Sequence, residues 1–85
     1  MNVDMTLRLR IVSPEKIVFV GDVSSVTVPG MVGEFQVYPN HAPLISSLVS
    51  GRLVYDAVNE GRKEMTISGG FVEVQNNEVN LCVEL

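Results

Sequence analysis

The sequence predicts an all-β domain, a flattened antiparallel β-sandwich or barrel of about 8–10 short strands. Three observations predict this class. Apolar and polar residues alternate at a period of two along most of the chain, as they do in half-buried strands. Glycine, proline and asparagine mark turns about every eight to ten residues. No stretch carries the apolar stripe of an amphipathic helix.

About eight or nine strands fit this pattern, each with apolar or β-branched residues on one face. In order, the predicted strands are residues 5–12, 16–20, 23–28, 34–38, 44–49, 52–58, 63–68, 71–75 and 78–85. The side chains assigned to the inner faces are Met5, Leu7, Leu9, Ile11, Val26, Val28, Phe35, Val37, Met65, Ile67, Val72, Val74, Val79, Leu81, Val83 and Leu85.

The connections between the strands carry turn signals. Gly21-Asp22 and Pro29-Gly30 each predict a turn. The loop from Asn59 to Arg62 contains glycine and predicts a hairpin, and Asn76-Asn77 predicts a tighter hairpin because asparagine tolerates positive φ. Gly69-Gly70 predicts a bulge or a close approach of two backbones.

Composition indicates one domain, residues 1–85, and excludes several classes of function. Hydrophobic residues make up 46% of the chain, enough for a packed core. The net charge of −4 argues against nucleic-acid binding, which normally requires a basic surface. No secretory signal or membrane-spanning segment is recognised, so we expect no direct insertion into a membrane. The single cysteine, Cys82, excludes an internal disulfide and is interpreted as a small packing residue.

The only histidine lies in a loop between two prolines, PNHAP, residues 39–43. His41 lacks the partners of a catalytic histidine and the co-ligands of a zinc site, so we assign no catalytic or metal residue. We predict that His41 either donates a hydrogen bond to a neighbouring carbonyl or contacts a partner. Because each proline restricts itself and its predecessor, the loop is stiff. It can present side chains to a partner or serve as a rigid connection, and its own chemistry does not decide which.

Four apolar side chains are predicted on the nominally polar faces of their strands. These residues are Val12, Tyr38, Tyr55 and Phe71. Either a second layer of the sandwich or a partner protein covers such side chains.

Two long motifs resemble one protein family. The stretches GEFQVYPNHAPLISSLVSGRL and ISGGFVEVQNNEVNL are similar to the epsilon subunit of bacterial F-type ATP synthases, whose mitochondrial counterpart is called delta. The preceding stretch LRIVSPEKIVFVGDVSSVTVPGMVGEF follows the family's order of strands and turns, so the resemblance covers nearly the whole chain. It implies a flattened ten-stranded antiparallel sandwich.

The resemblance also implies a function. In the family, this domain is a non-catalytic part of the central stalk that binds the gamma subunit and rests on the membrane-embedded ring of c subunits. It couples ion flow to ATP synthesis at the cytoplasmic face of the bacterial inner membrane, without a cofactor or small-molecule substrate. The family's loop matching residues 33–43 faces the ring. The expected ring contacts are therefore Glu34, Tyr38, Asn40 and His41, and our tentative gamma contacts are Tyr55 and Phe71.

Two features depart from the family pattern. Gln36 stands where many members have glycine, and the chain stops at Leu85, where many members continue into a helical hairpin. We therefore expect neither the inhibitory role nor the ATP binding of that hairpin. The alternative functions are a free-standing small-ligand or carbohydrate-binding β-sandwich, a lipoyl-type carrier using Lys63, and a small enzyme. A content of two Tyr, three Phe and no Trp disfavours the first of these.

Overall fold

The computed structural model describes residues 6–85, which form eight β-strands and, within that range, no helix. The strands are β1 (Leu7–Val12), β2 (Ile17–Gly30), β3 (Gly33–Val37), β4 (Leu44–Leu48), β5 (Gly51–Ala57), β6 (Gly61–Ile67), β7 (Gly69–Gln75) and β8 (Glu78–Glu84). The all-β prediction is confirmed, and this count lies within the predicted range.

One continuous sheet folds into two layers through its longest strand, β2. The second half of β2 lies between β3 and β5, and β6 pairs with β5; these strands form layer 1. The first half of β2 pairs with β1, which continues through β8 and β7 to β4; these strands form layer 2. The 14-residue β2 therefore belongs to both layers.

The core lies between the two layers and is built from the inner side chains of both. Fully buried examples are Leu9 in layer 2 and Leu53 in layer 1, each with 0% of its surface exposed. The predicted inner positions within residues 6–85 are buried or pack against the core, apart from Leu85. Leu85 is 59% exposed, because the last strand pairing ends at Glu84. Met5 lies outside the described residues.

The turn predicted at Gly21-Asp22 is wrong, since β2 runs through it without interruption. Gly21 pairs with Leu9, and Asp22 pairs with Arg8, so both residues stay extended in the ladder with β1. The Arg8 guanidinium also lies 3.3 Å from the Asp22 carboxylate. Cross-strand partners far away in the chain therefore override a local turn signal.

The turn predicted at Pro29-Gly30 lies two residues further on, at Met31-Val32. Pro29 and Gly30 are buried and belong to β2. Gly30 is required here by close packing, because a Cβ atom would lie 2.8 Å from the ring of Phe35. The glycine therefore accommodates an aromatic ring of the neighbouring strand and does not itself form the turn.

The sheet is mixed, because β1 and β8 run parallel from Arg8↔Glu78 to Val12↔Cys82. The other strand pairs are antiparallel, as expected. A half-buried strand shows the same period of two in either orientation. The alternation in the sequence therefore predicts the strands but not the direction in which distant strands pair.

Two further predictions, the hairpin at Asn76-Asn77 and the close backbone approach at Gly69-Gly70, are confirmed. Asn76 and Asn77 have φ angles of 52° and 61° and connect β7 to β8 as a two-residue hairpin. Gly70 has a φ of 147°, and a Cβ atom there would overlap the carbonyl oxygen of Cys82. The Gly69-Gly70 pair thus marks the predicted close approach of two backbones.

Candidate partner-binding surfaces

The four expected ring contacts lie along one edge of layer 1. Among the strands formed by residues 6–85, β3 pairs with β2 alone, so β3 is an edge strand. Glu34 is its second residue, Tyr38 follows its end, and Asn40 and His41 lie in the next loop. We call these four residues the β3 edge. At about 3.3 Å per residue, Glu34 is roughly 10 Å from the end of the strand, so the edge is a line and not one cluster.

Glu34 takes part in a network of surface ion pairs at one end of this line. Its carboxylate lies 3.9 Å from the guanidinium of Arg52, which is also 3.2 Å from Glu64. Arg62 lies 3.7 Å from the same Glu64 carboxylate. Each side chain is roughly half exposed. Such pairs contribute on the order of 0–1 kcal/mol each, so they orient Glu34 more than they stabilise the fold.

A short chain of hydrogen bonds orients the Tyr38 side chain on the outer face of layer 1. Its hydroxyl donates to Oε1 of Gln36 at 2.7 Å, and Nε2 of Gln36 donates to Oγ1 of Thr27 at 3.3 Å. The Tyr38 side chain is 52% exposed, as predicted. Gln36 therefore orients a neighbouring exposed aromatic ring.

The far end of the line contains Asn40 and His41. The Nδ1 atom of His41 lies 2.6 Å from the carbonyl oxygen of Ala42. A carbonyl oxygen can only accept, so Nδ1 is the donor in this contact. The prediction of a hydrogen bond from His41 to a neighbouring carbonyl is confirmed. Its role as a partner contact stays a prediction.

The loop of Asn40 and His41 is joined to the β7–β8 hairpin. The backbone N–H of Asn40 donates to Oδ1 of Asn77 at 2.5 Å, and Nδ2 of Asn77 donates to Oδ1 of Asn40 at 3.2 Å. A surface cavity of about 400 Å³ lies between the two turns. Sequence reasoning missed this contact, because the two asparagines are 37 positions apart and no local pattern links them.

A second exposed surface lies on the outer face of layer 2. Ile17, Val12, Cys82 and Phe71 are consecutive cross-strand partners on β2, β1, β8 and β7, so their side chains share one face. We call this set the outer apolar row. Ile17 is 60% and Phe71 48% exposed, and the other two are half-buried. A surface cavity of about 300 Å³ is lined in part by Val12, Phe71 and Cys82.

The two residues expected to face gamma have different positions. Phe71 is exposed on the outer apolar row, as predicted. The prediction that Tyr55 points outward is wrong: only 7% of its surface is exposed, and its ring packs at 4.7 Å from that of Phe19. Tyr55 shares the inner face of β5 with Leu53 and Ala57, opposite the polar Arg52 and Asp56. Burial raises the pKa of the Tyr55 hydroxyl, an effect that nearby Lys63 reduces and Glu60 reinforces.

In residues 6–85 no group of three or more His, Cys, Asp or Glu side chains could hold a metal ion. That range also contains no helix long and apolar enough to cross a membrane. No buried side-chain polar atom within it is without a hydrogen-bond partner.

The fold and these surfaces define a small β-sandwich with a stiff polar edge and an apolar row on one outer face. The chain belongs to the family of the ATP synthase delta/epsilon chain β-sandwich domain, whose model matches residues 6–85. The resemblance found in the sequence is thereby confirmed.

Similar curated proteins are ATP synthase epsilon chains. The one from Leptospira borgpetersenii is 41% identical over 78 residues, which cover 92% of this chain and 61% of the relative. The one from Chlorobium limicola is 40% identical over 81 residues, which cover 95% of this chain and 92% of the relative. The chain thus spans about 61% of the length of the Leptospira relative. Epsilon is an accessory subunit and not a catalytic one, which agrees with the prediction that this protein is not an enzyme.

Two solved structures share the fold. A chain of the Euglena gracilis mitochondrial ATP synthase, in an OSCP/F1/c-ring assembly, superposes with a TM-score of 0.88 at 21% identity, covering 98% of this chain and 53% of that one. A chain of the Tetrahymena thermophila mitochondrial ATP synthase central stalk and c-ring superposes with a TM-score of 0.79 at 16% identity, covering 93% and 63%. At these identities the likeness establishes the fold.

Proposed function

We propose that this chain is a non-catalytic subunit of the ATP synthase central stalk that binds the gamma subunit and the ring of c subunits. Through these two contacts it couples ion translocation to ATP synthesis at the cytoplasmic face of the bacterial inner membrane. The observation that carries the proposal is the family match over residues 6–85. The two separate exposed surfaces of the sandwich support it.

The β3 edge is the proposed ring contact. It presents a carboxylate, a phenol, an amide and an imidazole along an edge strand and the loop that follows it, and all four groups can exchange hydrogen bonds with polar loops. The stiffness of the proline-bounded loop lowers the entropy lost when these side chains are ordered against a partner. Rigidity also suits a part that must transmit torque without deforming.

The outer apolar row is the proposed gamma contact, with Phe71, at its β7 end, as the anchoring side chain. An aromatic ring that is half exposed beside a cavity is typical of the anchors that dominate protein–protein interfaces. The row lies on layer 2, and the β3 edge lies on layer 1, so both partners can be bound at the same time. Tyr55 lies in the core and is not part of this surface.

Binding to gamma is tested with Phe71→Glu and a matched control, Gln75→Glu. Both residues lie on the exposed face of β7 and both changes add one negative charge, but only Phe71 belongs to the apolar row. We expect Phe71→Glu to weaken binding to gamma by about tenfold or more, as for a hot spot, and the control to stay within about twofold. Titration calorimetry with purified gamma measures both, and thermal melts check folding. If the two variants bind gamma with equal affinity, the outer apolar row is not the gamma contact.

Contact with the ring is tested in the assembled enzyme with Glu34→Gln and His41→Ala. The matched control is Glu60→Gln, which also removes a surface carboxylate, one that pairs with Lys63 at 3.0 Å. We expect both β3-edge variants to lower the number of ions pumped per ATP hydrolysed in membrane vesicles, and the control to leave it unchanged. Wild-type coupling in both variants, with normal assembly, would exclude the β3 edge as the ring contact.

A further inference from the structure

A pair of asparagine side chains holds the His41 loop against the opposite turn of the sandwich. Asn40 has a φ of 68° and donates its backbone N–H to Oδ1 of Asn77 at 2.5 Å. Asn77 has a φ of 61° and returns a bond from Nδ2 to Oδ1 of Asn40 at 3.2 Å. We call these two reciprocal bonds the asparagine latch. It closes a contact between the loop after β3 in layer 1 and the β7–β8 hairpin of layer 2.

The hairpin side of the latch is itself anchored to the sheet. The carbonyl oxygen of Asn77 accepts a bond from the backbone N–H of Arg8 at 2.8 Å, which ties the turn to β1. Asn77 therefore uses its main chain to hold β1 and its side chain to hold Asn40. The His41 loop is connected in this way to the central strands of layer 2 and not only to its own neighbours in the chain.

We propose that Asn77 is a positioning residue for the ring contact, and that the asparagine latch sets the orientation of His41. The proposal rests on the proposed function of the β3 edge. Prolines 39 and 43 restrict the loop internally but do not fix its angle to the rest of the sandwich. The latch supplies that missing constraint one residue before His41, whose own bond to Ala42 then fixes the ring within the loop.

The chain offers a test that deletes the latch and leaves the turn unchanged. Asn77→Gly removes the side chain, and glycine adopts positive φ without strain. Asn76→Gly is the matched control, because Asn76 lies in the same turn with a φ of 52° but takes no part in the latch. Asn77→Asp is the conservative variant. Its carboxylate still accepts from the Asn40 N–H, and a rotated Asn40 amide can donate to the second oxygen.

The first measurement is amide hydrogen exchange by NMR on the 85-residue chain. Loss of the latch should speed exchange of the Asn40 N–H by about fivefold or more, as expected when a hydrogen bond is lost. It should also move the ring resonances of His41, while amides in the centres of the strands stay unchanged. Asn76→Gly should leave the Asn40 N–H protected, and Asn77→Asp should retain most of the protection. An Asn40 N–H that exchanges equally fast in both glycine variants would overturn the proposal.

The second measurement is coupling in the assembled enzyme, with His41→Ala as the reference. The proposal predicts that Asn77→Gly lowers the ions pumped per ATP hydrolysed in the same direction as His41→Ala, and that Asn77→Asp restores it. If His41→Ala impairs coupling but Asn77→Gly does not, the positioning role is wrong while the ring contact stands. If His41→Ala itself has no effect, the ring contact assigned to His41 fails and the positioning role fails with it.

Discussion

At the scale of a single residue, Tyr55 shows that burial, and not hydrophobicity alone, determines whether a side chain packs in the core or can contact a partner. Its ring packs against Phe19 and fills the inner face of β5, so a charged residue in its place would unfold the domain before any partner could be tested. Burial also disfavours the phenolate, which raises the pKa of the hydroxyl above its usual 10.0. The residue is therefore a core component with a pH-dependent contribution to stability.

The pKa of Tyr55 predicts a loss of stability at alkaline pH. Because the folded state holds this proton more tightly than the unfolded chain, the contribution is fully present below about pH 10. It is lost as the pH rises through the raised pKa of the folded state. The Tyr55→Phe variant cannot lose this contribution. Above about pH 10, its free energy of unfolding should therefore rise relative to that of the wild type. Urea unfolding of both proteins between pH 8 and pH 11 measures the difference, and parallel curves would contradict it.

At the scale of a structural element, Gly70 allows the backbones of β7 and β8 to approach closely within their hairpin. Its φ of 147° favours glycine, and the space where a Cβ would lie is occupied by the backbone of Cys82 and Val83. Gly69, one residue earlier, has neither constraint, because a Cβ there would lie 3.7 Å from the nearest atom, the carbonyl oxygen of Leu48. The two glycines of one dipeptide therefore have different roles.

We expect Gly70→Ala to destabilise the protein by at least about 2 kcal/mol, because both strain and overlap with a backbone must be relieved by separating β7 from β8. Gly69→Ala is the matched control and should change stability by less than about 1 kcal/mol. Thermal and urea unfolding of the two variants provide the comparison. Similar losses in both variants would show that the close approach at Gly70 is relieved without cost.

At the scale of the whole molecule, the sharing of β2 joins the two layers into one cooperative unit. Both layers depend on β2. It separates β3 from β5 in layer 1, and in layer 2 it pairs with β1 and, at Gly30↔Leu48, with β4. The core is common to both layers as well. A domain of this size also has a thin margin of stability, on the order of 4–13 kcal/mol.

The shared strand predicts that core damage in either layer unfolds the entire domain. Leu9→Ala in layer 2 and Leu53→Ala in layer 1 each truncate a fully buried leucine and should cost about 2–5 kcal/mol. Each variant should still unfold in one transition, with circular dichroism and tyrosine fluorescence giving coincident midpoints. Two separate transitions in either variant would show that the layers are independent.

Much of the fold could be predicted because its signals are local. Alternation identified the strands and most inner residues, and the paired asparagines identified a hairpin from their tolerance of positive φ. The exposed aromatic residues Tyr38 and Phe71 were also identified correctly. The inward position of Tyr55 was missed although it follows the same alternation as Leu53 and Ala57, so that error came from assigning the face of one strand.

The sequence by itself determined the class of fold, the family and the outward positions of Tyr38 and Phe71, because period, turn chemistry and motifs are properties of neighbouring residues. Only the tertiary structure decided that β2 continues through Gly21-Asp22, that β1 and β8 run parallel, and that Asn40 meets Asn77. The physical reason is the same in each case. These features depend on hydrogen bonds between residues far apart in the chain, whose partners are chosen when the two layers pack around their common core.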